Sequence, residues 1–151
     1  MQRSNPHFEF PRSWKEARKL VDFTPLEPAE SLGCRLQSLA VFVCDHKRRE
    51  LAVADRSLEA HYGDFVFSQA LRGVEEARRL ALEARYGLAP VESRIAGREG
   101  RIFELGPEPE AEDIDARSPA VVAWCDGEMF YLVASDRLPS ADLLRVAESV
   151  Y

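Results

Sequence analysis

The chain of 151 residues is short of the residue patterns that announce chemistry. It has three cysteines, Cys34, Cys44 and Cys125, at irregular spacings and with no Cys-x-x-Cys pair. That argues against a disulfide framework and a cysteine-rich zinc site, and for reduced, buried thiols in a cytoplasmic protein. No apolar run reaches the roughly 18 residues a membrane-spanning helix needs. The first twelve residues, Met1 to Arg12, hold no apolar core of an export signal. The net charge is −6, and neither the overall sign nor the clustering of Lys and Arg favours nonspecific binding to nucleic acid or an anionic membrane. There is no internal repeat.

Motifs of known mechanism are equally scarce. Gly97-Arg98-Glu99-Gly100 sits between strand-like runs and opens no helix, so it reads as a turn and not as a phosphate-binding loop. Cys44-Asp45-His46 places a thiol two residues from an imidazole, but a structural zinc needs about four ligands. The remaining candidates, Cys34, Cys125, His7 and His61, are scattered. The simpler reading ends a buried strand at Cys44 and puts His46 in a turn. His61-Tyr62-Gly63-Asp64 pairs a titratable ring with a phenol, with no activated nucleophile assignable to it. Glu108, Glu110, Glu112, Asp113 and Asp115 form an acid run without the alternating ligands and central glycine of a calcium loop. It reads as a solvated loop over 106–119, able to steer a basic partner.

What the chain does have is a core. Hydrophobic residues make up 46% and charged residues 30%, the proportions of one ordinary globular domain. Residues 1–12 read as an irregular arm and 13–151 as a single domain. Ser13-Trp14-Lys15-Glu16 is a capping box opening a short helix with Trp14, Ala17, Leu20 and Val21 on its apolar side. Strands are expected over 36–44, 50–54, 64–71, 90–95 and 101–105. Between them, Val74, Ala77, Leu80, Ala81 and Ala84 recur at helical spacing over 73–86, stopped by Gly87.

The last 28 residues carry the strongest local signals. Ala120 to Trp124 and Met129 to Val133 are β-rich runs, so a hairpin over 120–134 turning at Asp126-Gly127 is expected. A helix capped by Ser140 follows, packed through Leu143, Leu144 and Ala147. The whole pattern predicts an α+β fold: a mainly antiparallel sheet of hairpins with an N-terminal, a middle and a C-terminal helix.

The same C-terminal stretch carries a resemblance. Trp124, the Asp126-Gly127 step, Tyr131, Ser135-Asp136, Leu143-Leu144 and Val146-Ala147-Glu148-Ser149-Val150 follow the pattern of a small bacterial domain. That domain occurs in extracytoplasmic lipoproteins and anti-sigma-factor-associated proteins. It is similar to the small C-terminal domain of RseB/MucB-type sigma-factor regulators. Ser13 to Ala17, Phe23 to Leu26 and the 97–105 hairpin match more weakly. The resemblance implies a sensing or protein-interaction role and supplies no catalytic residues. The chain departs from it in the missing export signal, the helix at 73–86 and the acidic insert at 106–119.

The leading expectation is therefore a non-enzymatic regulatory or interaction module, without cofactor or metal, binding a protein partner or a second copy of itself. The alternatives are a small-molecule-binding domain with an apolar pocket between sheet and helix, and a small enzyme using Cys44 or His61.

Overall fold

The computed structural model describes residues 7–44, 55–71, 91–104 and 120–151. Eight strands form a single sheet: β1 (His7–Glu9), β2 (Ser38–Cys44), β3 (Asp55–His61), β4 (Val66–Leu71), β5 (Val91–Ile95), β6 (Arg98–Glu104), β7 (Ala120–Asp126) and β8 (Met129–Ser135). Their order is β1-β2-β3-β4-β8-β7-β6-β5, and every neighbouring pair is antiparallel. Among the described residues there are two helices, α1 (Trp14–Leu20) and α2 (Ser140–Glu148).

The expected α+β class with three helices is thereby corrected. The fold is sheet-dominated, because segments taken for an arm or a turn enter the sheet. His7–Glu9 of the supposed arm pairs with Val41 to Val43. Asp55–His61 forms a full strand against Ser38–Cys44. Arg98 to Gly100 belongs to β6, so the turn before it is Ala96-Gly97 and not the four residues 97–100. The expected helix over 73–86, the strand over 50–54 and the acidic loop over 106–119 lie outside the described residues.

Cross-strand partners share a face, so the register sorts the side chains. On one face lie Leu39, Val41 and Val43 of β2, Leu58 and Ala60 of β3, Phe67 of β4, Tyr131 and Val133 of β8, and Val122 and Trp124 of β7. All are buried in one cluster with Ala17 of α1 and Leu143, Val146 and Ala147 of α2. Both helices therefore pack on this face. The spacing 143, 146, 147 and 150 makes one helical stripe, with Ala141 exposed and the expected contact Leu144 only half-buried. The outer face is also apolar at its centre: Phe103, Val121, Ala123 and Phe130 are buried. Burial on both faces explains why β7 lacks alternation.

The local signals act largely as their chemistry dictates. Ser13 Oγ accepts from the Glu16 amide at 3.2 Å. The Glu16 carboxylate reaches back one residue further than a capping box requires, to the Arg12 amide at 2.8 Å. Ser140 is the first helical residue, not the cap; Pro139 holds the cap position. The last hairpin turns at Gly127-Glu128, one residue later than expected, since Asp126 pairs with Met129. Gly127 alone has positive φ there, at 59°, so the turn has the sign pattern of type II′.

Candidate interaction surfaces

Among the described residues, two places combine exposed chemistry with a defined frame: the β1 edge of the sheet and the hairpin ends beside Tyr151.

At the β1 edge, Phe8 stands directly opposite Phe42, so the two rings share the outer face. Their centroids are 5.2 Å apart with the rings tilted. Phe10, two residues on, stacks at 6.3 Å from Phe8. Phe8 is 53% exposed and Phe10 70% exposed. Among the described residues β1 is the last strand on this side; large aromatic rings left in water beside a sheet edge are unfavourable for an isolated domain, and aromatic side chains dominate the energetics of interfaces. Pro11, buried, ends the strand just beyond them.

At the other site, Trp124, Tyr131 and Phe67 form a buried aromatic set, with centroid separations of 5.2, 6.1 and 6.3 Å. Trp124 Nε1 donates to the Tyr151 hydroxyl at 3.0 Å, and that hydroxyl donates to Asp126 Oδ2 at 2.9 Å. Arg98 Nε meets the same carboxylate oxygen at 2.8 Å, and its guanidinium lies 3.6 Å from the centroid of the Tyr151 ring. Burial, the nearby Tyr151 and the Asp126 carboxylate push Tyr131 up to about 12, against the opposing pull of Arg98. Tyr151 is raised as well, first by burial. Both shifts favour the neutral phenol. Each group in this cluster satisfies another, which fastens Tyr151 across the ends of two hairpins.

The residues singled out from the sequence are dispersed. Glu108, Glu110, Glu112, Asp113 and Asp115 lie outside the described residues, as does His46. Cys44 ends β2. His61 ends β3, with Nε2 3.3 Å from Glu59 Oε2. Cys34 is a half-buried free thiol whose Sγ lies 3.7 Å from Asp64 Oδ2. Cys125, expected to be buried, is half-buried. Among the described residues no three His, Cys, Asp or Glu side chains come together as a metal site, and no helix is long and apolar enough to cross a membrane.

The aromatic strip was hidden in the sequence because Phe8 and Phe10 stand in a proline-flanked segment too short to show a period. Their two-residue spacing, Phe-Glu-Phe, is the one available sign that both rings point to the same side of a strand. No family model, no curated protein and no solved structure matches the chain.

Proposed function

We propose that this protein is a non-enzymatic interaction module that recognises a protein partner at the β1 edge of its sheet. The observation that supports this reading is the exposed Phe8–Phe10 pair, packed against Phe42 beside a three-residue edge strand. An extended partner segment can add main-chain hydrogen bonds to such an edge while its own side chains cover the rings. The resemblance of the C-terminal stretch to regulatory domains points to the same class of role. The acid-rich run 106–119 adds a preference: a basic partner is drawn in faster at low salt.

Affinity capture followed by partner identification tests the reading. Wild-type protein should retain a discrete partner, and the double variant Phe8→Ser/Phe10→Ser should lose it while its unfolding midpoint stays close to wild type. Capture of the same partner, undiminished, by the double variant would remove β1 as the recognition edge. A turnover abolished by Cys44→Ala or His61→Ala would remove the non-enzymatic reading altogether.

A further inference from the structure

Among the described residues, the opposite end of the sheet is also open. β5, Val91-Glu92-Ser93-Arg94-Ile95, is the last strand in the order, and Val91, Glu92 and Arg94 are exposed, Val91 by 65%. Its charges sit in a pattern that matches itself when reversed. Glu92 and Arg94 flank Ser93 symmetrically, and Val91 and Ile95 flank those.

The geometry of the β5–β6 hairpin fixes which backbone groups face outward. The loop is the two residues Ala96-Gly97, since Ile95 pairs with Arg98. The pair closing a two-residue loop is hydrogen-bonded, and hydrogen-bonded pairs alternate along an antiparallel ladder. Residues 95, 93 and 91 therefore bond to β6, which leaves the amides and carbonyls of Glu92 and Arg94 pointing away from the sheet.

We infer that two copies of this chain pair antiparallel through β5, about a two-fold axis at Ser93. In that register Glu92 of each copy lies opposite Arg94 of the other, and both are hydrogen-bonded pairs, so all the outward groups of the two residues are used. Ser93 meets its counterpart at the non-hydrogen-bonded position, where strands approach most closely and a small side chain fits. The neighbouring registers that also use these outward groups centre on Glu92 or on Arg94. Each sets a charge directly opposite itself, which is destabilising. An interface of this kind is self-complementary, as a two-fold dimer demands.

The charge pattern extends beyond the edge. Within each copy Glu92 pairs with Arg101 and Arg94 with Glu99. Across the axis, the row on the outer face becomes Glu99, Arg94, then Glu92 and Arg101 of the second copy, with signs alternating over four strands. The contact is small, so the dimer is weak and depends on concentration.

Sedimentation of the full chain from micromolar to near-millimolar concentration, with two charge reversals, tests this. Arg94→Glu gives an edge with two acids, and Glu92→Arg an edge with two bases. Wild type should move from monomer to dimer as concentration rises, and each variant alone should stay monomeric over the same range. An equimolar mixture of the two variants should dimerise again, because the reversed charges then complement each other. That recovery also shows that neither variant is simply misfolded. A wild type that stays monomeric throughout, or a dimer that persists in both single variants, overturns the inference. The recognition role of β1 is judged separately, since Phe8→Ser/Phe10→Ser leaves β5 intact: loss of partner capture with dimerisation retained, or the reverse, separates the two edges.

Discussion

Gln69 closes both of its side-chain amide hydrogen bonds on the backbone of a single residue, Leu26. Its Oε1 accepts from the Leu26 amide and its Nε2 donates to the Leu26 carbonyl, each at 2.9 Å. Gln69 is fully buried in β4 on the helix-bearing face, between its partners Leu58 and Tyr131. The segment it holds carries Phe23, Leu26, Leu32 and Leu36 onto the core. A glutamine at a core position is thus the latch between a loop without regular structure and the sheet beneath it.

Replacing Gln69 by Leu keeps the volume but leaves a backbone donor and acceptor of Leu26 without partners. At about 1–3 kcal/mol for each of the two orphaned groups, the loss should be on the order of 2–6 kcal/mol. Denaturant unfolding measures it, and limited proteolysis should cut between 22 and 37 well before the strands. Gln69→Glu should regain stability in mildly acidic solution, where the protonated carboxyl can donate as the amide did. Equal stability of wild type and Gln69→Leu would show that the latch contributes nothing.

Ala96 has φ of 48°, followed by Gly97 at 84°. Both central residues of this turn are left-handed, the type I′ pattern, which asparagine followed by glycine fits best. Left-handed backbone costs a non-glycine residue about 1–2 kcal/mol, and the alanine side chain is exposed, so no contact is lost on changing it. Ala96→Asn should therefore raise stability by about 0.5–1 kcal/mol, read as a higher thermal midpoint. By contrast, a methyl group at Gly100 would lie 2.6 Å from Ile95 Cγ1, so Gly100→Ala should lower the midpoint.

The last hairpin and both described helices were legible because their signals are local: apolar runs on either side of Asp126-Gly127, the cap at Ser13, and apolar residues at helical spacing after Pro139. β3 was not. Asp55-Arg56-Ser57-Leu58-Glu59-Ala60-His61 has no β-branched residue and is rich in types that strands avoid, so propensity argues against it. It becomes a strand because Leu58 and Ala60 alternate into the core while β2 and β4 hydrogen-bond it on both sides. The open edges were hidden for a related reason. Strand order depends on pairing between distant segments, and no local pattern in β1 or β5 reports that it comes last in the order of the described strands.

Tyrosine ionisation should set the alkaline limit of the fold. Burial, with a smaller push from Glu27, raises Tyr62 to about 12, and burial leads the rise of Tyr131 to about 12. The fold favours the neutral phenol of each. Their contribution is complete below the ordinary tyrosine value of 10.0 and is lost as pH climbs from there toward about 12. The upper bound is about 2–3 kcal/mol for each. Unfolding midpoints should be flat through neutral pH and fall steeply above pH 10, in step with tyrosinate absorbance. Tyr62→Phe and Tyr131→Phe should each reduce that fall. A midpoint that declines by the same amount in both variants would assign the alkaline limit to other groups.

The Tyr151 hydroxyl offers a sharper test of how the two hairpin ends are fastened. It accepts from Trp124, which is 1% exposed, and donates to Asp126, whose carboxylate also pairs with Arg98. Two accounts of its worth make different predictions. If the half-buried ion pair between Arg98 and Asp126 held the ends together, Asp126→Asn would be the damaging change. Pairs in that setting contribute about 0–1 kcal/mol. If the buried indole is decisive, Tyr151→Phe costs more, because it leaves a desolvated N–H without an acceptor, at about 1–3 kcal/mol. The ring remains to stack beneath the guanidinium, so packing is preserved. Tyr151→Phe should then be the less stable variant, with a shift in tryptophan emission that Asp126→Asn does not produce. The reverse order of stabilities would transfer the fastening role to the ion pair.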